Sequence, residues 1–243
     1  MHHTTGETYL TSSSSARRSR RAYLVLGAFV AVGALAVPAV ADAAPASPVA
    51  APVVAGPHAA APVVGQRAED TAASQAALAL AFLREWTETG DESVRASYVS
   101  QRDAVAATIA GRLGLAPADL QQAWASADIQ HQIALMSALT QLGVPYRRNT
   151  SKEGIGFDCS GLTTYAWAQA GVTLPRSSGS QIKSIAARTP ETAQAGDIIQ
   201  YPGHVMMWLG VDRAMVHAPY SGRNVEVDFV SARRSLKFGN PIG

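Results

Sequence analysis

The chain is poor in cysteine, in aromatic residues and in charge. Its 243 residues hold one cysteine, Cys159; 7% are aromatic and 16% are charged. A single cysteine cannot close an internal disulfide, which excludes the small stapled scaffolds of exported proteins. It also excludes a zinc site built on Cys-x-x-Cys, and no His-Glu-x-x-His occurs. A net charge of +2 is too weak for an electrostatic grip on nucleic acid. The apolar run at the N-terminus, Ala22 to Val37, is short of the ~20 residues that span a bilayer. No solenoid-type repeat is evident.

What is present at the N-terminus has the layout of a secretory signal. Arg17, Arg18, Arg20 and Arg21 form a positive cluster, and an apolar run follows from Ala22 to Val37. Small residues with Ala-x-Ala spacing come next, Ala39-Val40-Ala41 and Ala41-Asp42-Ala43. The stretch SRRAYLV, Ser19 to Val25, resembles a twin-arginine signal, which the folded-export route reads. Residues 1–43 are therefore expected to be a signal peptide cleaved near Ala43. The mature protein is then secreted or held in the cell envelope, with no membrane span. Residues 44–68 are rich in Ala, Pro and Val and nearly free of charge, as a semi-extended linker would be.

Residues 69–127 read as a helical segment. Leu78, Phe82 and Trp86 recur at four-residue spacing and Gly90 stops the run; Val94, Tyr98, Val105 and Ile109 mark a second helix, closed around Gly111 to Gly114. Pro117 suits the first turn of a third helix carrying Leu120 and Trp124. A fourth, from about Asp128 to Leu142, presents Ile129, Ile133, Met136 and Leu139, with His131 on its solvent side and Gly143 as the stop. From Gly196 the period changes. GDIIQYPG, HVMMWLG, RAMVHAP and NVEVDFV are short runs between Gly, Pro, Asp or Asn, which predicts consecutive antiparallel strands. Helices followed by strands argue for an α+β fold, with residues 128–243 as its main domain.

The lone cysteine sits in GIGFDCSGLTTYAWAQAG, Gly154 to Gly171. Leu162, Tyr165, Ala166 and Gln169 follow helical spacing, so Cys159 falls in a first turn, beneath unpaired N–H groups and the positive end of the helix dipole. A thiolate is favoured there, and the thiolate is the nucleophile. Gly161 allows a close approach by backbone or substrate. His204 opens one predicted strand and His217 ends the next, so a hairpin places their rings together at one sheet edge. Cysteine, base and orienting group is the composition of a nucleophilic site. A zinc site made of Cys159, His204 and His217 would lack the close ligand pairs that metal motifs bring.

Six ordered blocks carry a resemblance: LGVPY (Leu142 to Tyr146), FDCSGL (Phe157 to Leu162), LPRSSGSQ (Leu174 to Gln181), AGDIIQY (Ala195 to Tyr201), GHVMMWLG (Gly203 to Gly210) and MVHAP (Met215 to Pro219). Residues 128–243 thereby resemble the NlpC-type cell-wall endopeptidases, papain-like cysteine peptidases of bacterial envelopes. The resemblance implies a nucleophile-bearing helix packed on an antiparallel sheet. It implies Cys159 as nucleophile, His204 as base and then acid, and His217 as the group orienting His204. Tyr146 would bind the oxyanion beside the Cys159 backbone N–H, and Asp158 and Ser160 would line the groove. The implied substrate is the peptidoglycan stem peptide, cut between γ-D-glutamyl and a diamino acid such as diaminopimelate, with no metal or organic cofactor. A thiol-dependent N-acetylmuramoyl-L-alanine amidase and a non-catalytic wall-binding module are the alternatives. After Pro145-Tyr146 the family pattern of an aromatic and glycines gives way to Arg147 and Arg148, placed to pair with a stem carboxylate. Residues 69–143 carry four basic and nine acidic side chains and residues 144–243 eleven and seven. These opposite signs raise an intramolecular docking of the helical segment over the catalytic groove.

Overall fold

A computed structural model of the chain describes residues 70–243. The signal and linker expectations for residues 1–68 lie outside the described residues. Four helices come first: α1 (Thr71–Thr89), α2 (Glu92–Leu113), α3 (Pro117–Ser126) and α4 (Ile129–Leu139). Their boundaries have local causes. The Asp70 side chain accepts the Ala72 and Ala73 N–H groups as N-cap of α1, and Gly90, at φ 69°, ends that helix. Asp91 caps α2 and Gly114 closes it in the same left-handed conformation. Pro117 opens α3, where its missing N–H costs nothing.

The expected stripe of α1 is kept in part. Phe82 and Trp86 pack half-buried on the core, but Leu78 is 46% exposed, and the buried residues are Ala72, Ala76, Ala79, Leu80 and Leu83. The expectation for His131 is overturned: it is fully buried, because α4 is enclosed on nearly every side.

The two-stranded ribbon β1 (Ser151–Lys152) and β2 (Gly156–Phe157) leads into α5 (Cys159–Gln169). Then come α6 (Ser178–Ser184), β3 (Ala186–Arg188), β4 (Ile198–Tyr201), β5 (His204–Trp208), β6 (Ala214–His217), β7 (Glu226–Phe229) and β8 (Lys237–Asn240). β3 to β8 form one antiparallel sheet in the order β3-β8-β4-β5-β6-β7. Alternation divides its faces. Ile198, Val205, Met207 and Val216 join the core that α1–α5 cover, whereas Ile199, Met206, Trp208, Met215 and Phe238 form a second, smaller cluster. The four strands read from the sequence are present; β3 and β8 are additions.

Tyr98, Trp124, Leu135, Leu162 and Val205 all belong to the first core, so helices and sheet share one apolar interior. A buried polar tie crosses it, Trp124 Nε1–H donating to the Leu209 carbonyl at 2.8 Å, and at the surface Arg84 donates to Gln169 Oε1 at 2.6 Å. A chain beginning at Asp128 would expose this surface. Burying Trp124 alone is worth ~3–5 kcal/mol, so the shortened chain is expected to show no cooperative thermal transition. A sharp melt within about 5 °C of the parent would contradict this.

Candidate active site

Cys159 is the first residue of α5 and is partly exposed. The helix starts there because Asp158, in extended conformation, accepts the Gly161 N–H at 2.8 Å. Gly161 has no alternative: a Cβ would lie 2.1 Å from the Thr150 carbonyl oxygen, so the close approach is by backbone.

Asp158 is the hub of this end of the site. Its Oδ2 accepts the Asn149 N–H at 2.7 Å, and Arg176 holds the carboxylate with two nitrogens, at 2.8 and 2.7 Å. Arg176 also donates to Ser160 Oγ at 2.8 Å. Burial works against the Asp158 charge, but Arg176 and the backbone donors prevail and hold its carboxyl below the usual carboxylate range. Asp158 and Ser160 are 7% and 6% exposed. Their polar atoms are engaged within the protein, where they fix the Cys159 turn. Gln181, fully buried, supports the same turn by donating to the Ser160 carbonyl at 3.0 Å and the Thr164 hydroxyl at 2.9 Å. Sequence reasoning missed Arg176 and Gln181 as individual residues, although both stand in the LPRSSGSQ block.

Tyr146 belongs to the cysteine side of the site. Its backbone N–H donates to the Arg223 carbonyl at 2.8 Å. Burial first, then the neighbouring Cys159 and Asp158, push the phenol above its ordinary value, so it is a neutral O–H donor at neutral pH. Arg147 and Arg148 are exposed, and neither forms an ion pair with a described carboxylate. The aliphatic stem of Arg147 crosses Gly156 so closely that a Cβ there would meet it at 2.5 Å.

The two imidazoles meet as the strand reading requires. His204 Nε2 and His217 Nδ1 are 2.8 Å apart, with the rings nearly perpendicular at 81°. Each is 8% exposed. On its far side His217 Nε2 stands 3.3 Å from Glu226 Oε1, out of line for a hydrogen bond. A cavity of about 270 Å³ opens beside the pair, lined in part by Met206, Met215, Tyr220, Asp228 and Arg234. Neither Cys159 nor any described residue before Tyr201 lines it. The structure thus gathers two clusters, Cys159 with Tyr146, Asp158 and Arg176, and His204 with His217 and Glu226. α5 packs on β5 through the face of Val205 and Met207, whereas His204, at the first position of β5, alternates with Met206 and Trp208 of the second cluster.

Burial, with repulsion from His217, pushes His204 down to about 4; burial does the same to His217, with Asp228 opposing and Arg223 assisting. Both folded values lie below the ordinary 6.5. Between these values the unfolded chain takes up protons that the folded chain refuses. The stability is therefore complete above pH 6.5 and lost as pH falls through the window toward 4, on the order of 3 kcal/mol. Urea midpoints measured from pH 7.5 to 4.5 are expected to fall, with a shallower fall in His204→Gln. A flat profile would contradict the buried neutral pair.

A thiol at a helix start and a hydrogen-bonded imidazole pair on an adjoining antiparallel sheet define the papain-like α+β class. Residues 143–237 match the NlpC/P60 family. It is 38% identical over 113 residues to the γ-D-glutamyl-L-lysine dipeptidyl-peptidase of Bacillus cereus, covering 39% of this chain and 33% of that protein. It is 38% identical over 112 residues to the peptidoglycan endopeptidase RipB of Mycobacterium tuberculosis, covering 40% and 46%. The chain thus spans a third to a half of the length of these curated relatives. Among solved structures it resembles RipD of Mycobacterium tuberculosis, described as a non-catalytic NlpC/p60 domain protein. That likeness has 30% identity, a TM-score of 0.39, and coverage of 47% of this chain and 98% of that one.

Proposed function

We propose that the protein is an exported cysteine endopeptidase that cuts peptidoglycan stem peptides beside a γ-D-glutamyl residue. The observation that carries this reading is the His204–His217 pair, in a domain whose one cysteine opens the helix packed on the His204 strand. A merely structural histidine pair would have no need of such a thiol. The two named peptidase relatives support the reaction class, and the γ-D-glutamyl preference follows the name of the first.

The mechanism follows from the partners of each nitrogen. The Glu226 carboxylate favours the proton on His217 Nε2, so His217 Nδ1 accepts and His204 Nε2–H donates. That leaves the lone pair on His204 Nδ1, which takes the Cys159 proton. The thiolate attacks the scissile carbonyl, and the Tyr146 O–H and Cys159 N–H receive the developing oxyanion; one such donor is worth ~3–4 kcal/mol. His204 then returns the proton to the leaving amine, and water releases the acyl-enzyme. Asp158 and Arg176 hold the nucleophile's turn rigid. No step calls for a metal or an organic cofactor. The N-terminal signal, read from sequence, would deliver the protein to its substrate.

Muropeptides of defined structure, incubated with the protein and read by mass, test this. A new N-terminal diamino acid is the expected product. A released intact stem starting at L-Ala would instead mark an amidase, and unchanged muropeptides a wall-binding module.

Arg147 and Arg148, exposed and without carboxylate partners, are assigned to a stem-peptide carboxylate. Replacing both by Ala is expected to lower kcat/KM about tenfold or more on free-carboxylate stems and little on amidated ones. Equal losses on both would remove the assignment.

A further inference from the structure

β6 and β7 place three metal-ligating groups on one face beside the histidine pair. His217 stands directly across from Glu226 in the antiparallel register, and Asp228, two residues on, stands across from Met215. All three side chains therefore leave the same face. One ligand atom from each lies within 4.8 Å of the others. His217 is more than nine-tenths buried, its Nδ1 is taken by His204, and its Nε2 is a buried nitrogen without a hydrogen-bond partner. Glu226 Oε1 faces it at 3.3 Å and is held on its other side by Arg223. Native interiors rarely leave a buried nitrogen such as His217 Nε2 unsatisfied.

We infer that His217 Nε2, Glu226 and Asp228 form a site for a divalent transition-metal ion of the zinc type, whose binding withdraws His204 as a base. One imidazole nitrogen with two carboxylates suits zinc and its neighbours, whereas calcium and magnesium favour sites built from oxygen alone. Three protein ligands leave a fourth tetrahedral position for water. Arg223 competes for Glu226, with NH2 at 2.5 Å from Oε1 and an Nε hydrogen bond of 3.1 Å to Oε2. Its side chain is 43% exposed and can turn to solvent over Tyr220. The guanidinium charge makes the site weaker than a structural zinc centre, as a reversible regulatory site requires.

The consequence for catalysis is a change of proton position without change of proton number. An ion on His217 Nε2 occupies that lone pair, so the His217 proton sits on Nδ1 and points at His204 Nε2. His204 Nε2 must then accept, and the His204 proton moves to Nδ1. This is the nitrogen that the mechanism above assigns to the Cys159 proton, so the base is blocked. Ion binding stands on the residues alone; the blocking of the base rests on the proposed function.

The test uses the purified protein, Zn²⁺ as probe, metal content and calorimetry as the binding readouts, and alkylation of Cys159 by iodoacetamide as the reactivity readout. One Zn²⁺ per chain is expected in the wild type and in Cys159→Ala, with affinity at least about tenfold weaker in Asp228→Asn. Zn²⁺ is expected to slow alkylation in the wild type and not in Asp228→Asn. Equal binding by wild type and Asp228→Asn would overturn the site. So would loss of binding in Cys159→Ala with Asp228→Asn unaffected, which places the ion on the thiol. Zinc that follows Asp228 but leaves alkylation unchanged overturns the link to His204. Zinc bound through Asp228 by a protein that cuts no muropeptide upholds the site and removes the proposed function instead.

Discussion

Cys159→Ala is expected to abolish muropeptide cleavage, with kcat reduced by at least about 10⁴-fold, as removal of a covalent nucleophile does elsewhere. The fold is expected to remain intact. Cys159 is partly exposed at the first turn of α5, and the turn is fixed by Asp158, Arg176 and Gln181, not by the sulfur. The melting temperature should therefore stay within about 3 °C of the parent. Activity and stability separate in this variant, which distinguishes a nucleophile from a small apolar filler. A filler would lose stability and keep activity.

The second large effect concerns stability. His131 Nε2 and Asp197 Oδ1 are 2.9 Å apart, and both side chains are fully buried. Asp197 Oδ2 also accepts the Gln194 N–H at 2.8 Å, and the His131 ring lies edge-on to Trp167 at 4.9 Å. This pair pins α4 to the start of β4. Gly196 serves the same contact: at φ 98°, it passes so close that a Cβ would lie 2.8 Å from the His131 carbonyl oxygen. His131→Leu leaves a buried carboxyl without its partner and is expected to cost ~3–5 kcal/mol. His131→Gln keeps an amide N–H at similar reach and is expected to lose less than half as much. Denaturant unfolding of the two variants reads the difference. Equal, small losses would show that the pair is incidental.

These two variants also mark where the sequence was legible. Cys159, His204 and His217 were visible because their chemistry is rare in this chain and because strand alternation and hairpin order are local rules. Asp158 and Gly161 were visible as the start of a helix. The role of His131 was not, because spacing within α4 says nothing about how many neighbours enclose it. Its partner Asp197 lies 66 residues away. β8 was missed for a related reason. It pairs between β3 and β4 from the far end of the chain, and its four residues carry no clear alternation. Arg176 was seen only as part of a block, since its bidentate hold on Asp158 depends on the α5–α6 connection. Glu226 and Asp228 alternate within β7, but their relation to His217 needs the β6–β7 register.

The central claim is that the Cys159 sulfur and the His204 imidazole act as one unit. The rate of Cys159 alkylation as a function of pH tests it most directly, in the wild type and in His204→Ala. In the wild type, alkylation at neutral pH is expected to be faster than that of a simple thiol, because His204 Nδ1 takes the proton as the sulfur reacts. Without His204 it is expected to fall to that of a simple thiol. Identical profiles in the two proteins would show that the imidazole does not act on the sulfur, and the peptidase mechanism would not stand.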